Sequence, residues 1–186
     1  METQNTGGAV LALDLGTYCG WARRDVDGSV QYGEQPFKKQ SYDSEGKRIW
    51  RFMQWLRLQI STNNVQFLAF EDVQFQSTQA QTRLWSGWLT VTLLTAEYAR
   101  IPCKGFPLGT VKLTASGNGH AGKKRMQYAA MSIYNLDTLP GEDEADALCV
   151  LRTAELWRSG KLVMAEKKKK PRKSKKKPPD AQGQLL

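Results

Sequence analysis

The sequence predicts an α/β domain built on a mixed sheet, and three observations carry that prediction. Residues 9–13, Ala-Val-Leu-Ala-Leu, place five apolar side chains in a row, the pattern of a strand buried on both faces in the middle of a sheet. Residues 65–70 repeat that pattern, and a long helical stretch at 77–100 followed by strand-like residues 101–106 closes a β-α-β unit with parallel pairing. At 186 residues and 40% hydrophobic content, the chain has room for one domain with its own core and not for a second of ordinary size.

The elements follow in order. Residues 1–8 are polar, carry no apolar signal-peptide core and read as a flexible N-terminus. Tyr18–Arg24 and residues 29–35 flank Asp27-Gly28, a strong hairpin signal, so the first strand gains two antiparallel neighbours. Ile49, Phe52, Met53, Leu56 and Ile60 recur at helical spacing with Arg48, Arg51 and Arg57 between them, which predicts an amphipathic helix capped by Asp43 or Ser44. In the helix at 77–100, Leu84, Trp88, Val91 and Tyr98 form one apolar stripe and Trp85, Leu89, Leu93 and Ala96 another. Such a helix either packs on its own sheet and also on a partner subunit, or is buried within a single core. Trp50, Trp55, Trp85 and Trp88 read as core or subunit contacts on these helices. A helical piece at 111–115, a glycine loop at 117–122, a basic helix at Lys123–Tyr134 and a last helix at 142–159 after Pro140-Gly141 complete the domain, which spans 9–160.

The formal charge is +9, from 27 Lys and Arg against 18 Asp and Glu. Residues 167–177 hold nine of those basic residues, so most of the excess belongs to the tail and the folded part is close to neutral. The Lys/Pro-rich stretch 161–186 cannot form a core and reads as disordered. It is either a solvated tail or a polycation that adds salt-sensitive affinity for DNA phosphates. Cys19, Cys103 and Cys149 are widely spaced and odd in number, which argues against a disulfide framework or structural zinc and for a reducing compartment. No apolar run approaches the roughly 18 residues of a membrane span, so the expectation is a soluble, cytoplasmic protein with no membrane partner.

Four carboxylates stand out. Asp14 interrupts the first apolar run and Glu71 ends the second, where lone charges would be costly to bury. Asp143 and Asp146, three apart, share one face at the start of the last helix. Acids in a first turn also simply suit the helix dipole. However, Ala145, Ala147, Leu148, Val150 and Leu151 make this helix apolar nearly all round, which points to burial of Asp146 against the sheet. Were the four to converge, they would repel one another and raise one another's pKa values, and hard oxygen ligands suit Mg²⁺ or Mn²⁺. Two such ions about 3.5–4 Å apart are the arrangement used for in-line attack on phosphodiesters.

With these residues in view, the chain resembles the RuvC family of Holliday-junction resolvases, within the ribonuclease H-like superfamily. Leu13-Asp14-Leu15-Gly16 matches its first motif, Phe70-Glu71-Asp72-Val73 its second, and Asp143-Glu144-Ala145-Asp146-Ala147-Leu148 its last. Between them, Val111-Lys112-Leu-Thr114 and Gly117-Asn-Gly119-His-Ala121-Gly-Lys123 resemble its DNA-contacting segment. The resemblance implies a ribonuclease H-like mixed five-stranded sheet flanked by helices. It implies Asp14, Glu71, Asp143 and Asp146 as catalytic metal ligands for Mg²⁺, with Mn²⁺ as substitute, and Lys112, Lys123 and Lys124 as DNA contacts. The implied activity is a structure-selective endonuclease that resolves four-way junctions and acts on other branched DNA, working as a homodimer whose two-fold symmetry matches the junction.

Two departures stand out. The family carries a base-stacking aromatic three residues after the glutamate; here that place is Gln74, and Phe75 follows as either the stacking ring or a core residue. The first motif reads Asp-Leu-Gly where Asp-Pro-Gly is more common. The short chain and Lys-rich tail resemble bacteriophage forms, which would act in a host cytoplasm. Competing readings are a catalytically silent branched-DNA-binding module and a ribonuclease H-like nuclease for RNA–DNA hybrids. The Asp14-Leu-Gly-Thr17 phosphate motif of actin-like ATPases is a lesser alternative, since those need two such domains. The GxGxxG at 117–122 does not follow a strand, and His120, the only histidine, lies in that loop. Hydrolase triads therefore have little support.

Overall fold

A computed structural model describes residues 8–73 and 78–162. Its elements are β1 (Ala9–Asp14), β2 (Tyr18–Arg24), β3 (Val30–Pro36), α1 (Glu45–Thr62), β4 (Val65–Asp72), α2 (Gln79–Ala99), β5 (Cys103–Pro107), α3 (Leu108–Ser116), α4 (Lys123–Tyr134) and α5 (Glu142–Arg158). The strands form one sheet in the order β3-β2-β1-β4-β5. The first three are antiparallel, whereas β1 pairs parallel with β4 and β4 with β5. This is the mixed five-stranded sheet that the sequence predicts.

Local chemistry explains the boundaries. Gly28 turns the β2–β3 hairpin at φ +89, and the Asp27 carboxylate accepts the Ser29 N–H at 2.9 Å and its hydroxyl at 2.7 Å. Ser44, not Asp43, caps α1, accepting the Lys47 N–H at 3.1 Å. Asp43 instead ion-pairs with Arg51. Thr78 caps α2 in the same way as Ser44 caps α1. The last strand starts later than predicted, at Cys103, because the end of α2 claims the preceding residues. Arg100 is left-handed at φ 56, and the Ile101 N–H bonds back to the Ala96 carbonyl at 3.0 Å.

Strand alternation builds two cores from one sheet. Leu11, Leu13, Leu68 and Phe70 face α1 and α2, where they meet Phe52, Leu56, Ile60 and Trp88. Val10, Ala12, Phe67 and Ala69 face the other way, against Val111, Met126 and Ala130 and the α5 residues Leu148, Val150 and Leu151. A helix apolar nearly all round belongs inside a protein, and α5 accordingly packs across β1 and β2 and is covered by α3 and α4.

Each of the two stripes predicted on α2 finds cover within the chain only in part. Trp88 and Ala96 are buried, but Leu93, Leu94 and Tyr98 are exposed. Cys19, Cys103 and Cys149 are free thiols. Among the described residues, no helix is long and apolar enough to cross a membrane. Phe75 and the Lys-rich tail lie outside the described residues.

Candidate active site

Strand parity decides which way the first two carboxylates face. Asp14 shares the parity of Val10 and Ala12, and Glu71 that of Phe67 and Ala69, so both belong to the face covered by α5. Leu13 pairs with Phe70, and Asp14 and Glu71 follow side by side at the ends of adjacent parallel strands. In an open α/β sheet, that end of the strands is where functional side chains gather.

The start of α5 arrives at the same place. Gly20 lies opposite Asp14 on β2, and a β carbon there would lie 1.9 Å from the Asp143 carbonyl oxygen. Only glycine lets α5 settle this close to the sheet. The Glu144 carboxylate takes up the Gly141 N–H at 2.7 Å, which closes the first turn of α5 and fixes Asp143 and Asp146 over the strand ends.

Electrostatics show that the four groups sense one another. Burial, followed by the charges of Glu71, Asp146 and Asp143, holds Asp14 well above the usual carboxylate range. Burial and Asp146 push Glu71 up to about 7, against the opposing charge of Lys112. Burial and Asp143 push Asp146 up to about 6, opposed by Lys123 and Lys112. Asp143 is raised mainly by burial. The structure therefore brings together all four carboxylates singled out in the sequence.

Glu34, which the sequence reading missed, joins them. It pairs in register with Gly20 on β3, and its carboxyl group shares a hydrogen bond with Asp143. Alternation along β3 was its only signal, and that says nothing of a partner on a distant helix.

Basic side chains rim the cluster. Lys112 on α3 opposes Glu71 and Asp146. Lys123, at the start of α4, ion-pairs with Glu142 and opposes Asp14, Asp143 and Asp146. Lys124 and Arg125 are exposed in the same first turn. Cations at a helix N-terminus work against its dipole, and the acidic start of α5 offsets that cost here. Cys149 lies beneath the carboxylates, its thiol pushed up to about 12 by burial, so it stays protonated and is no nucleophile. His120 is exposed in the 117–122 loop, and its backbone N–H bonds to Asn118 at 3.0 Å.

The donor set suits a hard divalent cation: oxygen ligands only, partly buried, and each made harder to ionise by its neighbours. Among the described residues, no three Asp, Glu, His or Cys side chains stand close enough to form a ready-made ion cage.

Comparison with known proteins gives a consistent result. The family described as crossover junction endodeoxyribonuclease RuvC matches residues 10–153. The chain is 31% identical over 120 residues to the crossover junction endodeoxyribonuclease RuvC of Halorhodospira halophila, covering 64% of this chain and 71% of that one. It is 36% identical over 58 residues to the protein of the same name from Idiomarina loihiensis, covering 31% of this chain and only 33% of that relative. The fold is similar to that of Thermus thermophilus RuvC in complex with a Holliday junction substrate, with a TM-score of 0.72 at 22% identity, over 83% of this chain and 97% of that one.

Proposed function

This chain belongs to the RuvC family of crossover junction endodeoxyribonucleases, and from that premise we propose that it resolves four-way DNA junctions by metal-dependent hydrolysis of the phosphodiester backbone. The observation that carries the reading is the convergence of Asp14, Glu71, Asp143 and Asp146 from two strand ends and one helix start, within the stretch that matches the family.

In this reading, Asp14, Glu71, Asp143 and Asp146 hold Mg²⁺, or Mn²⁺ in its place. The bound metal supplies Lewis acidity and a water of lowered pKa at the phosphodiester. Rigid strands and a helix pinned on Gly20 fix the carboxylate backbones, so the site is pre-organised where the chemistry needs it. An acidic site repels a phosphate backbone. Lys112 and Lys123, already facing these carboxylates, offset that repulsion and draw the DNA in. Lys124 adds a contact to phosphate, and Phe75 stacks on unpaired bases at the crossover. The Lys-rich tail adds affinity without sequence preference. A second copy docks on α2, so that two sites face two opposed strands, and the enzyme works in the cytoplasm.

Asp146→Asn tests the reading, because it removes one charge and keeps the shape. Cleavage of a four-way junction falls roughly a thousandfold, the equivalent of several kcal/mol of lost transition-state stabilisation. Junction binding in EDTA is kept or tightened. Cleavage that persists in the variant would remove the carboxylates from the chemistry.

A further inference from the structure

Lysines rim the carboxylates on the α3 and α4 side, and a second group of cations stands on the opposite flank, between β3 and α1. Residues 37–51 carry five Lys and Arg against two Asp and Glu. Lys38, Lys39 and Lys47 are exposed, whereas Arg48 is buried and Arg51 half-buried.

The inner cations hold the loop that displays the outer ones. Phe37 is buried beneath it, and Arg48 donates to the Phe37 carbonyl at 2.7 Å. Arg51 donates to the Lys38 carbonyl at 2.9 Å and pairs with the buried Asp43, whose carboxylate also accepts the Gln40 N–H at 3.1 Å. Aromatic faces steady two of the outer ammonium groups. Lys38 Nζ lies 4.7 Å from the centre of the Tyr18 ring, and Lys47 Nζ 4.6 Å from that of Trp50. Long side chains held in this way lose less freedom when they meet a partner.

The place of this patch in the sheet says what it can reach. Tyr18 pairs with Pro36, two residues beyond the Gly20–Glu34 pair that flanks Asp14, so the patch lies at the carboxylate end of the strands. Glu34 accordingly feels the charge of Lys38. The loop after β3 and the helix after β5 stand four inter-strand steps apart, roughly 19 Å at about 4.8 Å each. Phosphates follow one another about every 3.4 Å along each strand of a duplex, so the two basic groups meet different phosphates. Ammonium groups on an open surface, with no cavity for a base edge, suit the sequence-independent backbone.

We propose that Lys38, Lys39 and Lys47 form a second phosphate seat, which holds the backbone of a duplex arm on the other side of the crossover from Lys112 and Lys123. The inference rests on the nuclease reading above and adds an arm-binding surface to it. A straight duplex lying on Lys112 and Lys123 would have to bend to reach this seat, at a cost, so the seat favours branched DNA.

The test is the double variant Lys38→Gln, Lys39→Gln, in which both altered side chains are exposed, so the melting midpoint is kept. For a four-way junction in EDTA, the slope of log affinity against log salt falls by about 1.8, and affinity falls about tenfold. For a linear duplex, slope and affinity stay as they are in wild type. Hydroxyl-radical footprinting shows protection lost on one arm, several nucleotides from the cut. Lys38→Arg, Lys39→Arg restores both readouts. The inference is overturned if the junction slope and footprint do not change, or if junction and duplex lose affinity alike. If wild type bound the junction and cut it with no divalent metal, the nuclease reading would fall, and the slope and footprint would still decide the arm seat.

Discussion

Gly20 and Asp143 meet backbone to backbone: a β carbon on the glycine would lie 1.9 Å from the aspartate's carbonyl oxygen. The contact seats the start of α5 on the sheet between Asp14 on β1 and Glu34 on β3, both of which flank Gly20 in register. Gly20→Ala must therefore lift that end of the helix. We expect about 1–3 kcal/mol of destabilisation by overpacking, read from the melting midpoint, and a larger loss of cleavage than of junction binding. An unchanged midpoint would mean that α5 does not press on β2.

The carboxylates predict how stability depends on pH. Burial and Asp146 raise Glu71 to about 7, and burial and Asp143 raise Asp146 to about 6, both above their unfolded values near 4. Between those limits the folded state binds more protons than the unfolded one, so these groups make the protein less stable as pH rises. In EDTA, the melting midpoint is lower at pH 8 than at pH 5.5. Added Mg²⁺ or Mn²⁺ raises it more at pH 8, and Asp146→Asn reduces the difference. A midpoint in EDTA that does not fall over this range would contradict the electrostatics.

Lysines in the rim separate attraction from chemistry. Lys124 is exposed; on the proposed reading it contacts phosphate, and Lys124→Ala then weakens all DNA binding evenly and lowers the slope of log affinity against log salt by about 0.9. Truncation after residue 162 removes nine of 27 basic residues and lowers that slope by several times as much. Lys112 faces Glu71 and Asp146, so Lys112→Ala slows cleavage more than it weakens binding. A salt slope unmoved by either the Lys124 substitution or the truncation would remove both from the DNA interface.

Leu93, Leu94 and Tyr98 leave an apolar strip exposed on α2. Sedimentation at micromolar concentration should show a dimer, and Leu94→Glu a monomer that cuts only one strand of a junction. A wild-type monomer that makes paired cuts would dismiss this interface.

Much of the fold could be read from local pattern. The alternation in β1 and β4 is dictated by burial on both faces, and it also determines that Asp14 and Glu71 point the same way. The all-round apolar character of α5 pointed to burial against the sheet, and the cover that α3 and α4 add on its other side was not legible from it. What stayed hidden depends on contacts between distant segments. Nothing near Gly20 announces that a helix will rest on it, and Glu34 on an edge strand reads as an ordinary solvated acid. The late start of β5 came from competition at one residue, where Ile101 finishes the α2 cap instead of opening a strand. Trp85 and Trp88, beside the loop that follows β1, read as core or subunit contacts from spacing alone, since spacing cannot show an unpaired donor.

The measurement that bears most directly on the central claim compares four substrates under one condition. Labelled four-way junction, Y-fork, linear duplex and RNA–DNA hybrid are incubated with the wild-type protein in Mg²⁺, with EDTA as control. Paired nicks in the junction, little or no cutting of the duplex and hybrid, and no product in EDTA are expected. Equal cutting of the hybrid would make this a ribonuclease H-like enzyme of another kind, and tight junction binding with no cleavage in any divalent metal would leave only a binding module.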